Sequence, residues 1–233
     1  MLAKKKGAGK NKKRVIVMGK GSLAIKISDW FLRSKDFMLI KVVPVIPEPS
    51  WTKSLLNWAK SKNVPVVESG DYKEINLKKD RPDLVVSVFY EKILDGDFID
   101  NCKKIINIHN APLPKYRGVA PINWALKNKE TEHGVTIHQI DKGVDTGPII
   151  AQLKYSIYPE FDEVIDVYER ALEYAWVLFK QTMPILDKII PRKQDDKAAT
   201  YYSNKDKKKL KERRDFTKAV SLGKEKKKII KKL

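Results

Sequence analysis

The segment from Ile105 to Gly118, IINIHNAPLPKYRG, places an asparagine and a histidine two residues apart at the end of an apolar run, then stops the run with two prolines. In a β-strand, side chains alternate between faces, so Asn107 and His109 share one face while Ile106 and Ile108 take the other. An amide N–H₂ can donate to a developing oxyanion, and an imidazole can move a proton near neutral pH. Together they are equipment for acyl transfer without a covalent nucleophile. The imidazole still needs a third group to orient it. DKGVDTG supplies Asp145, 36 residues after His109, in a glycine-flanked turn. A carboxylate beside the ring favours the imidazolium. Taken alone, the same Asp reads equally well as a turn former bonded to its own backbone.

Other chemistries fit less well. Three histidines, one cysteine and no H-E-x-x-H leave few ligand sets, so no metal is expected. Cys102 stands just before a buried strand and reads as a small packing residue. His138 alternates with buried strand residues and His133 precedes the glycine of a strand start, so both read as structural. GKGSLA, between a strand and a helix, has the form of a dinucleotide turn, but no acid closes the second strand to hold a ribose. Backbone N–H groups of Gly21 and Ser22 at a helix N-terminus suit a substrate phosphate. A tight turn that needs glycine for its backbone angles is the alternative.

The elements that must position these groups alternate between strand and helix. RVIVMGKGSLAIKISDWFLRS predicts a strand at Val15 to Met18, a glycine turn and a helix from about Leu23. FMLIKVVPVIP is a second strand, SWTKSLLNWAKSKN a helix capped by Ser50, VPVVES a short third strand and DLVVSVFY a fourth. KKIINIH is a fifth strand, apolar enough to be buried on both faces. PINWALKNK is a helix with Pro121 in its first turn, and HGVTIHQID and PIIAQLKYSI are two strands around the KGVDTG turn. A long amphipathic helix over Val164 to Ile190, ended by Pro191, completes the pattern. Such alternation implies an α/β fold with a Rossmann-like, mostly parallel sheet and helices on both faces. In such sheets ligands bind in the crevice at the C-terminal strand ends, which is where Asn107 and His109 would point.

At 233 residues the chain is long enough to bury a core without disulfides, and its single cysteine fits a reducing, cytoplasmic setting. No run of about 18 apolar residues suggests a membrane span, and the basic N-terminus lacks the apolar segment of a signal peptide. Of the formal charge of +19, residues 1–13 supply +6 and residues 205–233 supply +10, leaving +3 for the rest. The division expected is a basic tail at 1–13, a catalytic domain at 14–191 and a basic extension at 192–233. A nucleic-acid-binding role would rest on the tails alone.

NIHNAPLPKYRGVAPINWAL followed by HGVTIHQIDKGVDTGPIIAQ resembles the 10-formyltetrahydrofolate-dependent formyltransferases, over roughly residues 14–190. The resemblance implies catalysis by Asn107, His109 and Asp145, and the folate as formyl donor. It places the folate among the loop of Phe89, Tyr90, Ile93 and Leu94, the loop Ala111, Pro112, Leu113 and Pro114, and the turn with Ile140, Asp141 and Val144. A primary amine would attack the formyl carbon, with Asn107 and a protonated His109 holding the oxyanion and Asp145 stabilising the imidazolium.

The acceptor implied is a nucleotide-linked amino sugar such as a dTDP-linked 3- or 4-amino-dideoxyhexose. The GKGSLA turn, the SVFYEKIL loop and the NAPLPKYRGVAPINWAL segment are similar to the sugar enzymes. Acceptor contacts are expected from Gly21, Ser22, Tyr116, Arg117, Trp124, Tyr201 and Tyr202, with aromatic faces beside an arginine for a phosphate-bearing ligand. Packing is the alternative for each aromatic. Glycinamide ribonucleotide is the second candidate, although its enzymes typically carry G-S-N in the first turn. A charged tRNA fits least, because those enzymes carry a further barrel and only some 40 residues follow Pro191. A homodimer is compatible with this reading.

Overall fold

The computed structural model describes residues 11–210, and its chain divides into two compact units. The first comprises residues up to Lys92 together with Asp100–Ile105; the second comprises Ile93–Ile99 and the residues from Ile106 onward. The expectations for the outermost charged residues lie outside the described range.

In the first unit, strand β1 (Lys13–Gly19) leads through a glycine turn into helix α1 (Gly21–Arg33), then β2 (Phe37–Pro44), α2 (Leu55–Ser61), the short α3 (Leu77–Asp80) and β3 (Leu84–Val88). β1 pairs in parallel with both β2 and β3. Val15, Ile16, Val17 and Met18 are all fully buried, as a strand covered on both faces requires. α1 begins two residues earlier than the apolar pattern indicates. α2 is capped by Ser54, whose Oγ accepts from Asn57 N at 2.9 Å, and not by Ser50. Glu48 Oε1 takes two more of its free N–H groups, from Leu55 at 2.7 Å and Leu56 at 3.2 Å. VPVVES forms no strand: only Val66 bridges Val42, and the chain turns away after the Val67 N–H reaches Val42 O at 3.0 Å.

In the second unit come α4 (Gly96–Asn101, whose last two residues belong to the first unit), β4 (Ile105–His109, whose first residue belongs to the first unit), β5 (Arg117–Gly118), α5 (Pro121–Lys127), β6 (Glu132–Gln139), β7 (Ile149–Ser156), α6 (Val164–Thr182), β8 (Tyr201–Tyr202) and α7 (Lys207–Leu210). β6 runs antiparallel to β4 and to β7. The strand order is β2-β1-β3-β4-β6-β7, a mostly parallel sheet in which β6 is reversed, and β5 and β8 form a separate parallel pair. α6 opens on a capping box between Glu163 and Asp166 and buries Val167, Ala171, Ala175 and Leu178 along one stripe. It ends at Thr182 rather than Ile190. Pro184 has no N–H to continue the ladder, and the chain tightens into a 3₁₀ segment, Met183–Lys188. Among the described residues no helix is long and apolar enough to cross a membrane.

Candidate active site

The second unit brings Asn107, His109 and Asp145 together. β4 presents Asn107 and His109 on one face, and the reversed β6 sets His138 opposite Asn107 and Thr136 opposite His109. Directly paired residues of an antiparallel ladder share a face, so His138 stands beside Asn107. The turn between β6 and β7 then returns Asp145 to the same place. Asp145 itself holds φ +55°, a left-handed conformation that costs a non-glycine residue about 1–2 kcal/mol.

The polar groups of this cluster lie within reach of one another. His138 Nδ1–H donates to Gln139 O at 2.7 Å, so in the neutral ring Nε2 accepts from Asn107 Nδ2 at 3.2 Å. Asn107 Nδ2 also donates to Asp145 Oδ1 at 3.3 Å. His109 Nε2–H donates to Tyr116 O at 2.9 Å, which leaves Nδ1 facing Asp145 Oδ2 at 3.6 Å. Gly118 N–H donates to the same Oδ2 at 2.9 Å, and His138 Nε2 lies 3.4 Å from Oδ1. Burial pulls the Asp145 carboxyl upward. The charge of His109, the hydrogen bond and charge that His138 offers when its ring is protonated, and the Gly118 N–H outweigh it, and hold the group well below the usual carboxylate range. The result is a partly buried carboxylate, its side chain 12% exposed, poised between two imidazoles.

The loop after β4 is held rigidly. Thr136 Oγ1 donates to Ala111 O at 2.6 Å and accepts from Leu113 N at 3.2 Å, while Gln152 Nε2 donates to Leu113 O at 2.8 Å. Ala111 and Leu113 are buried; Pro112 and Pro114 are half-buried. In the β6–β7 turn, Asp141 Oδ1 accepts from Gly143 N at 3.1 Å and Thr146 Oγ1 at 2.5 Å, with Ile140 and Val144 half-buried beside it. Ile93 is exposed and Leu94 buried. In the first unit, Phe89 sits at φ +57°, and Tyr90 OH donates to Gly70 O at 2.7 Å, burial pushing its phenol up to about 12.

The residues expected to meet an acceptor fall differently. Tyr116, Trp124 and Tyr202 stack on one another: the Trp124 and Tyr202 rings lie 4.1 Å apart and those of Tyr116 and Tyr202 5.9 Å apart. Tyr116 and Trp124 are buried, and the Tyr116 hydroxyl donates to Glu130 Oε1 at 2.6 Å. The Arg117 guanidinium is also buried, and forks onto Gln194 Oε1 from Nε at 3.1 Å and Nη2 at 2.9 Å, with Asp196 Oδ1 at 2.8 Å from Nη2. Arg117, Tyr116 and Trp124 are thus buried among these partners, and Tyr202 is half-buried against them. Tyr201 alone is widely exposed. In the first unit Gly21 is buried at the start of α1 with φ +76°, and Ser22 is half-buried.

Cys102 is half-buried and its thiol is pushed by burial up to about 11, so it is a poor nucleophile. Among the described residues no group of three or more His, Cys, Asp or Glu side chains is set to hold a metal ion.

The Formyl transferase family profile matches residues 13–183, most of the chain. The chain belongs to the formyl transferase family. It is 30% identical to methionyl-tRNA formyltransferase of Campylobacter jejuni over 201 residues, which is 81% of this chain and 65% of that enzyme. The chain thus spans just under two thirds of the length of these curated relatives. Among solved structures, an N-formyltransferase from Helicobacter canadensis in complex with folinic acid and dTDP-3-aminofucose shares 28% identity at a TM-score of 0.70, covering 83% of this chain and 72% of that one. Glycinamide ribonucleotide transformylase 1 from Geobacillus kaustophilus shares 26% identity at a TM-score of 0.64, covering 76% and 99%. His138 was not among the residues expected at this site. Its position on β6 was legible, but its partner on β4 depends on the pairing register, which the strand pattern does not reveal.

Proposed function

We propose that the protein transfers the formyl group of 10-formyltetrahydrofolate to a primary amine, and that Asn107, His109 and Asp145 carry the transfer. The observation that supports this reading is the partly buried Asp145 carboxylate, kept ionised between His109 and His138 beside the Asn107 amide. An ionised carboxylate at that position stabilises an imidazolium on His109, which can then donate a proton or a hydrogen bond as charge develops on the formyl oxygen. The Asn107 N–H groups contact His138 and Asp145 at 3.2 and 3.3 Å, long enough to be exchanged for a stronger, charge-assisted bond to an oxyanion. The folate supplies an activated formyl carbon and a nitrogen leaving group. The protein's part is to orient, to hold charge and to move one proton.

The acceptor proposed is a nucleotide-linked amino sugar. The structural likeness to the Helicobacter canadensis N-formyltransferase, whose complex holds dTDP-3-aminofucose, favours it. Methionyl-tRNA is the second reading, favoured by the 30% identity to the Campylobacter jejuni enzyme. Side-by-side assays with saturating 10-formyltetrahydrofolate and a dTDP-3-amino sugar, glycinamide ribonucleotide or methionyl-tRNA decide between them. A higher kcat/KM on either of the last two removes the sugar and leaves the catalytic roles in place; no transfer to any amine removes the whole reading.

A further inference from the structure

Asp145 has the hardest task in the cluster, and the side chain that holds it in place lies past residue 183, where the family match ends. Gln194 is buried, and its single amide touches both ends of the Asp145 arrangement. Nε2 donates to Asp145 O at 2.8 Å and to Gly147 O at 2.7 Å, which fixes the turn from its main chain. Oε1 accepts the Arg117 fork, and the residue after Arg117 is Gly118, whose N–H holds the Asp145 carboxylate at 2.9 Å. A closed ring results, from carboxylate to Gly118, to the Arg117 side chain, to Gln194 and back to the Asp145 carbonyl. Both N–H groups of the Gln194 amide donate and its oxygen accepts twice, so neither end can shift without leaving a buried group unpaired. The same β5 segment is tied down by its neighbours on the later chain: Arg117 N donates to Thr200 O at 2.9 Å and Tyr116 N to Thr200 Oγ1 at 2.7 Å.

We propose that Gln194, anchored by Arg117, is a positioning residue for the Asp145 carboxylate in the transfer reaction; this rests on the formyl-transfer reading above. Asp145 sits in a left-handed conformation that is uncommon outside glycine, and the ring restrains it there. A displacement of the order of 1 Å at such a group costs about 100-fold in rate.

The test uses Gln194→Glu in the full chain. A glutamate keeps the fork to Arg117 but turns an oxygen toward the carbonyls of Asp145 and Gly147, severing only the clamp. Turnover is expected to fall about 10- to 100-fold with the folate KM within about two-fold. Exchange of the Gly118 amide, read by NMR without substrate, should accelerate by about tenfold or more while that of Val135 within β6 stays put. In an Asp145→Asn background the same substitution should cost less than about two-fold, because the group it positions is already impaired. Should Gln194→Glu fail to fold, Arg117→Lys, which keeps the charge but cannot fork, is read in the same three ways. Wild-type turnover with wild-type Gly118 exchange overturns the proposal, as does a loss that multiplies in full with Asp145→Asn. If wild-type protein formylates no amine while Gly118 exchange accelerates in the variant, the brace stands and the formyl-transfer reading falls. Unchanged Gly118 exchange in that case sinks the brace too.

Discussion

Two tight turns use left-handed backbone for different ends. The turn of the first unit, between β1 and α1, is built from glycine because nothing larger fits: a Cβ on Gly19 would lie 2.0 Å from Val88 O, at φ +148°. The turn of the second unit, between β6 and β7, puts an aspartate at φ +55° and surrounds its carboxylate with two imidazoles and an amide. A glycine in such a conformation serves the fold. A charged residue there, partly buried and braced from its own main chain, needs neighbours that offset both its backbone conformation and its desolvation.

The largest expected effects would break this contrast if they came out alike. Asp145→Asn keeps a side chain tolerant of positive φ, so its unfolding midpoint should change little while turnover falls by about 10²–10⁴-fold, the range for losing a group in acid–base work. Gly19→Ala should do the reverse. Its Cβ meets a backbone oxygen that cannot move aside, and denaturant unfolding should report a loss of about 3 kcal/mol. If Gly19→Ala proved neutral, the first turn would not be sterically committed.

How far the sequence carried the reading follows the same division. The alternation of strands and helices, the shared face of Asn107 and His109 and the glycine-flanked Asp145 were all legible, because each depends on residues close together along the chain. What escaped needed partners distant in sequence. His138 joins the site only through the register of β6 on β4, and Gln194 only because the chain after α6 returns to pair Tyr201 and Tyr202 with Arg117 and Gly118. The aromatic residues Tyr116, Trp124 and Tyr202 suggested a ligand surface in sequence; the structure gives them one another. Misread boundaries have local causes. Ser54 displaced Ser50 as cap through its bond to Asn57 N, and Pro184 stopped α6 before Pro191 could.

Acid should separate the burial of His133 from that of Asp145. His133 is fully buried, donates from Nε2 to Asn110 O at 2.8 Å, and is pushed by burial down to about 4. Its unfolded value is near 6.5, so the unfolded chain takes up the proton first as pH falls. Stability from keeping this ring neutral is complete above about pH 6.5 and declines toward pH 4, by up to about 3 kcal/mol. Asp145, whose carboxyl is depressed, contributes in a lower window, losing its share only as pH falls below about 3.9 toward its folded value. Chemical denaturation of wild type and His133→Gln between pH 7 and 4 should therefore show a slope in the first that is flattened in the second. Parallel curves would remove His133 from the acid response.

The smallest expected effect lies back in the first turn. A Cβ on Gly21 would meet Thr52 Oγ1 at 2.8 Å, the end of a side chain that can rotate away, so Gly21→Ala should cost only the left-handed strain, about 1–2 kcal/mol. A loss as large as that of Gly19→Ala would mean that Thr52 cannot yield.

The most direct test of the central claim is the single-turnover rate of formyl transfer from 10-formyltetrahydrofolate by His109→Ala beside wild type, with the best acceptor of the three. The account predicts a folded variant whose transfer is slower by about 10²–10⁴-fold. Transfer at the wild-type rate would contradict it, because the imidazole between Tyr116 O and Asp145 would then have no part in the reaction.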